Sequence, residues 1–176
     1  MREEIIKTFE KVYTSEADAI FRFCFTKVSD RQQALDITQE TFLRLWQSLL
    51  EEKEIMNNRA FLFTVARRLV IDWYRKKKSI SLESMSSGEN GEIDYDISDE
   101  MITSRLLLGA EGRYLLDKIN ELTSVNREAV YLRFVEDLSP PEIGEILGIS
   151  ANAASVRINR GLMELREKVG YNNDTE

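Results

Sequence analysis

The chain has 176 residues, a formal net charge of −7, one cysteine and no histidine. Without histidine there is no Ser-His-Asp or Cys-His nucleophile pair, and Cys24 alone makes neither an intrachain disulfide nor a zinc site, so enzyme readings start from behind. No apolar stretch approaches the ~18 residues of a membrane span, and Met1-Arg2-Glu3-Glu4 does not open a signal peptide. The expectation is a soluble cytoplasmic protein, not an enzyme, with no cofactor and no metal.

An acidic chain is a poor match for a phosphate-binding surface, but the charge is unevenly spread. Residues 1–78 carry a net +3, residues 79–98 carry −5 and residues 99–176 carry −5. The middle stretch is rich in serine, has no basic residue and shows no helical period, which predicts an acidic linker. On either side the apolar positions recur at three and four residues, and the two prolines, Pro140 and Pro141, stand together. The fold class expected is all-α: a helical domain over 1–78, the linker over 79–98, and a second helical domain over 99–176.

The first helix is predicted near residues 2–13. Ser15 then caps a second, whose Ile20, Phe21, Cys24, Phe25 and Val28 share a face. A buried Cys24 has no redox role. Asp30 caps a third helix reaching about Leu49, with Leu35, Phe42, Leu45, Trp46 and Leu49 as its apolar stripe. Its other face carries Asp36, Gln39, Glu40, Leu43 and Gln47 at helical spacing, acidic and amide groups around an exposed leucine. Such a face suits a basic partner helix; the blander alternative is a solvated surface.

A fourth helix runs from Asn57 or Asn58 to Lys78 and turns Leu62, Val65, Ala66, Leu69 and Trp73 inward. The rest is basic and aromatic, with Arg59, Phe61, Phe63, Arg67, Arg68, Trp73, Tyr74, Arg75, Lys76, Lys77 and Lys78. Cations that pair with phosphate, beside rings that stack unpaired bases at about 1–3 kcal/mol each, suit single-stranded nucleic acid. The alternative is core rings plus cations that favour the helix C-terminus. Asp72 and Arg75, three apart, read as a local ion pair rather than an acid-base couple.

Two helices near 100–121 and 125–136 supply Leu106, Leu107, Leu115, Leu116, Ile119, Leu122, Val130, Leu132 and Phe134 to a second core. The stretch from Leu138 to Arg160 then reads as a helix-turn-helix. Ser139 and Glu142 form a capping box, Pro140 stands at the first helical position, Gly144 allows close helix approach, Gly148 makes the turn and Ser150 caps the second helix. Ile143, Ile146, Leu147 and Ile149 fill the angle, while Ala154, Ile158, Leu162 and Leu165 hold the second helix down. Asn152, Ser155, Val156, Arg157, Asn159 and Arg160 are left to reach base edges or phosphates.

In order, Asp36-Ile-Thr-Gln-Glu-Thr-Phe-Leu-Arg-Leu-Trp46, Ala60-Phe-Leu-Phe-Thr-Val-Ala-Arg-Arg-Leu-Val-Ile-Asp-Trp-Tyr-Arg75 and the helix-turn-helix resemble the extracytoplasmic-function (ECF) group of bacterial RNA polymerase sigma factors, over nearly the whole chain. The resemblance implies that Asp36, Gln39, Glu40 and Leu43 meet a basic coiled-coil of core RNA polymerase. It implies that the fourth helix and the loop before it, with Asn58, Arg59, Phe61, Arg67, Arg68, Tyr74, Arg75 and Lys76, melt and read the minus-ten element on the non-template strand of promoter DNA. The helix from about Ala151 would lie in the major groove of the minus-thirty-five element, and the linker would thread the RNA exit channel. Many relatives are held by an anti-sigma factor.

The chain departs from the family where threonine, valine and lysine are common and it has Ala153, Ala154 and Ser155, and where asparagine is frequent and it has Arg68. A serine in place of lysine removes a phosphate-pairing charge, which predicts weaker and less salt-dependent contact by the second domain. Two rivals remain, a freestanding helix-turn-helix repressor, which would bind duplex DNA unaided, and a helical scaffold without a DNA role.

Overall fold

A computed structural model describes residues 2–82 and 110–170. Seven helices and no strand occur among them. The chain divides into two compact units, Met1–Glu100 and Met101–Glu176, each with its own apolar core. Most of the expected linker, residues 83–98, and the predicted core leucines Leu106 and Leu107 lie outside the described residues.

In the first unit, α1 (Arg2–Val28) is one helix of 27 residues where two were expected. Ser15 does not cap. Its hydroxyl donates back to the Val12 carbonyl (3.1 Å), and the Thr14 hydroxyl donates to the Glu10 carbonyl (2.8 Å). Both groups are satisfied within a continuous helix, and no glycine or proline between 2 and 28 interrupts it. A two-residue turn follows, with Ser29 in the left-handed region at φ 54°. Asp30 then caps α2 (Arg31–Leu50) as predicted, its carboxylate accepting from the Gln33 N–H at 2.9 Å.

The third helix, α3 (Asn58–Leu82), starts where Asn57 Oδ1 accepts from the Ala60 N–H (3.0 Å) and runs past the predicted end at Lys78. The three helices share a core of Ile20, Phe23, Cys24, Ala34, Phe42, Leu45, Ala60, Leu62, Phe63 and Ala66, all at 3% exposure or less. The sequence period misassigned several positions. Phe23, Ile37, Phe63 and Val70 are core, whereas Phe21, Leu35, Trp46, Leu49, Leu69 and Trp73 are only half-buried. Burial drives the Cys24 thiol up to about 12, outweighing a hydrogen bond with Thr38.

The second unit is built from α4 (Ala110–Asn120), α5 (Ser124–Phe134), α6 (Pro140–Leu147) and α7 (Ala151–Val169). Leu116, Ile119, Leu122, Val130 and Leu132 are buried as expected. Leu115 and Phe134 are not; they stand 49% and 55% exposed and line an apolar cavity together with Leu116, Ile119 and Val130. Tyr131 donates its hydroxyl to Glu136 (2.9 Å), a carboxylate that is 1% exposed.

The helix-turn-helix forms with the local chemistry read from the sequence. The Glu142 carboxylate accepts from both the Ser139 N–H (2.7 Å) and hydroxyl (2.6 Å), and proline opens α6. Gly148 ends it at φ 68°, a conformation that a side chain would strain. Ser150 caps α7 by accepting from the Ala153 N–H at 3.1 Å. A Cβ on Gly144 would lie 2.8 Å from the Ile149 carbonyl oxygen, which is why the helices cross this closely only at glycine.

Glu164 of α7 caps α5 from outside. Its carboxylate accepts from the Thr123 N–H (3.0 Å), the Thr123 hydroxyl (3.1 Å) and the Asn126 amide. Burial raises its pKa, but these hydrogen bonds and Lys168 together hold it below the usual carboxylate value. A depressed folded-state pKa stabilises the unit above the unfolded-state value, and that contribution is lost as pH falls through the folded-state value. Glu164→Gln is therefore expected to cost about 0.5–2 kcal/mol at neutral pH. Urea titrations at pH 7 and in the acid range should show the difference shrinking as the carboxylate protonates.

Candidate functional site

The outward face of α2 carries the group singled out in the sequence. Asp36 and Gln39 are exposed, Leu43 is 48% exposed, and Glu40 is half-exposed. Each acid is held along its own helix, Asp36 by the Gln32 amide (3.0 Å) and Glu40 by Arg44 (2.9 Å), so the carboxylates present a fixed direction. The buried face behind them, through Ile37, Thr41 and Leu45, locks α2 onto the unit.

Beside this face lies an aromatic group that sequence reading did not assemble. Tyr13, 49% exposed, packs on Phe42 with ring centroids 4.8 Å apart, and Phe9 packs on Trp46 at 5.2 Å. The signal was present in the spacing of Phe9 and Tyr13. The ring partners, Phe42 and Trp46, lie on another helix, and spacing within α1 does not show them.

On α3 the predicted nucleic-acid residues separate into rows. Phe61, Arg68 and Arg75 recur every seven residues; Phe61 is half-buried and the two arginines are exposed. Lys76 is exposed beside them, and Arg75 lies 3.8 Å from Asp72, the ion pair expected. The neighbouring row of Arg67 and Tyr74 is half-buried, and the Tyr74 hydroxyl donates to the Lys27 carbonyl of α1. Asn58 is half-buried at the helix start. Arg59 reaches back to Glu16 (3.2 Å) and stands 5.8 Å over the Phe63 ring. Phe63, read as a possible stacking ring, is fully buried edge-on against Phe23.

On α7, Asn152, Val156, Asn159 and Arg160 are outward, with Val156 39% exposed, while Arg157 is half-buried at the flank. Ser155 is half-buried and donates its hydroxyl to the Ala151 carbonyl (3.1 Å). Ala154 and Ile158 are the buried counterparts that seat the helix.

The chain matches the Sigma-70 region 2 family over residues 12–80 and the Sigma-70 region 4 family over residues 112–165. It is 31% identical over 159 residues to the ECF RNA polymerase sigma factor SigW of Bacillus subtilis, covering 86% of this chain and 83% of that protein. This chain belongs to the ECF RNA polymerase sigma factors. As such it directs promoter-specific transcription initiation. Another B. subtilis ECF sigma factor, SigX, is 26% identical over 166 residues, covering 92% of this chain and 83% of SigX.

The fold of this sigma factor is similar to that of RpoE from Bartonella quintana, solved with the anti-sigma factor NepR. The TM-score is 0.66 at 21% identity, over 96% of this chain and 99% of that one. CnrH, solved with the cytosolic domain of CnrY, matches at a TM-score of 0.58 and 20% identity over 95% of this chain and 90% of that one. Among the described residues of the sigma factor no helix is long and apolar enough to cross a membrane.

Proposed function

We propose that this sigma factor docks on core RNA polymerase through Asp36, Gln39, Glu40 and Leu43, that Asn58, Arg59, Phe61, Arg67, Arg68, Tyr74, Arg75 and Lys76 hold the opened minus-ten element, and that Asn152, Ser155, Val156, Arg157, Asn159 and Arg160 read the minus-thirty-five element. The observation that carries this reading is the pairing, within one compact three-helix unit, of an acidic face around exposed Leu43 on α2 with the Phe61–Arg68–Arg75 row on α3. A carboxylate pair around an apolar knob suits a basic helix, and a ring in line with two guanidinium groups suits unstacked bases.

The row supports opening as well as binding, because stacking gains energy only from separated strands. In this reading the domains are 1–78 and 99–176, and 79–98 ties them. The chemistry of chain growth belongs to polymerase and the protein works in the cytoplasm beside it. The complex of RpoE with the anti-sigma factor NepR supports an anti-sigma partner here too.

Asp36→Lys with Glu40→Lys is expected to lower the affinity for core polymerase tenfold or more, with helix content unchanged by circular dichroism. Wild-type protein should open a promoter fragment only when polymerase is added. Unchanged polymerase affinity in the double variant overturns the docking assignment, and tight duplex binding by the protein alone favours a freestanding repressor.

A further inference from the structure

The second unit holds an open apolar cavity of about 410 Å³ between α4, α5 and α7. Leu115 and Ile119 of α4, Phe134 at the end of α5 and Leu162 and Leu165 of α7 are among its walls, and no polar side chain lines it. Leu115 and Phe134 are half-exposed there, so apolar surface that follows the core period is left facing water. A contiguous apolar surface of this kind favours association with whatever apolar group can reach it.

The described part of the chain ends beside this cavity. Leu162, Leu165 and Val169 fall in one row on α7, and Val169 is half-buried in the last turn. Gly170 then takes the left-handed conformation at φ 75°, its N–H donating back to the Arg166 and Glu167 carbonyls. In this kind of helix ending the chain turns back, and an apolar residue just after the glycine packs on the last turns of the helix. The residue after Gly170 is Tyr171, and the last turns carry Leu165 of the cavity wall. Leu162 to Val169 spans about 10 Å of helix, and the stretch from Tyr171 to Glu176 can extend about 20 Å, enough to cross the mouth.

Charge favours the same placement. Lys118 of α4 (2.8 Å) and Lys168 of α7 (3.8 Å) share the carboxylate of Glu121, so this trio is left with a net positive charge. Tyr171-Asn-Asn-Asp-Thr-Glu176 brings two acids and no cation to it. We propose that residues 171–176 cover the apolar cavity of their own second unit, with the Tyr171 ring against Leu115 and Leu165 and Asp174 towards Lys118 and Lys168. The ring is buried while its hydroxyl stays at the wet mouth. The segment thereby shields the free sigma factor from self-association through this face.

The test compares the full chain, methyl-labelled at leucine, with Tyr171→Phe, Tyr171→Ala and a chain ending at Gly170. The deciding signal is a nuclear Overhauser contact between the Tyr171 ring and the Leu115 methyls, because Leu115 is on α4 and a ring resting on Leu165 alone would be an ordinary helix ending. That contact is expected in wild type and in Tyr171→Phe, and is lost in Tyr171→Ala together with a shift of the Leu115 methyl signals. Fluorescence of an anilinonaphthalene sulfonate dye should rise about twofold or more in Tyr171→Ala and in the shortened chain, and stay at the wild-type value in Tyr171→Phe. Sedimentation of the wild type should show a monomer.

Ring contacts to Leu165 without Leu115 would reduce Tyr171 to a helix ending and overturn the proposal, as would dye fluorescence unchanged by the shortening. Leu115 methyl contacts to Leu106, Leu107 or Leu108 in place of Tyr171 would give the cavity to the segment before α4. A wild-type dimer whose dissociation on dilution raises the dye signal would give it to a second copy of the chain. Either result overturns the assignment to residues 171–176.

Discussion

Phe63→Ala is expected to destabilise the first unit by about 3–5 kcal/mol, because it empties a ring-sized volume in a fully packed interior. Phe63 is 0% exposed and meets Phe23 with ring centroids 5.3 Å apart at 78°, so neither ring can collapse into the space without moving a helix. Phe61, two positions earlier, is half-buried and should behave differently. Phe61→Ala is expected to leave the urea midpoint nearly unchanged and to weaken binding to an oligothymidylate in the polymerase complex, by about 1–3 kcal/mol if one base stacks there. The pair of variants, one read by denaturation and the other by binding, separates core ring from contact ring on a single helix.

Gly161→Ala should destabilise the second unit although alanine is the better helix former. The propensity gain is about 1 kcal/mol, while overpacking a rigid core costs about 1–3 kcal/mol, and the geometry puts this site at the upper end. A Cβ at Gly161 would overlap Val130 Cγ2, and Asn126 Cβ would stand 3.3 Å away; Val130 is 0% exposed and β-branched, so only a costly rotamer change moves Cγ2 aside. Gly161→Val should cost more still. Hydrogen exchange resolved by residue is the suitable measurement, since protection should fall across α5 and α7 and persist in α1 to α3. Retained protection across α5 would show that Val130 gives way more easily than its packing indicates.

The parts of this fold that were legible in the sequence are those whose cause is local. Asp30, Asn57, Ser139 with Glu142, Gly148 and Ser150 announce helix ends by chemistry within three residues, and each end forms there. The proposed docking face on α2 was legible for the same reason, because one helix carries all of it.

What failed depended on partners distant in the chain. Ser15 carries a cap's chemistry but sits inside a helix, since nothing near it stops α1 and the packing against α2 continues through it. Phe63 and Phe61 are indistinguishable by composition, and only the direction of approach of α1 puts one inside. Leu115 and Phe134 follow the apolar period yet line a cavity that the described residues of the second unit do not fill. Gly161 gave no sequence signal at all, because its constraint is a valine more than one helix earlier.

Cys24 is the chain's one thiol, and it is sealed at 0% exposure with its pKa driven to about 12. At neutral pH the native protein therefore offers oxidants and alkylating reagents almost no thiolate. Modification of that sulfur has to wait for the three-helix core to open, so its labelling rate is a clock for the opening of the first unit. The molecule carries its own reporter of breathing motions, at the centre of the unit proposed to carry both docking and promoter opening.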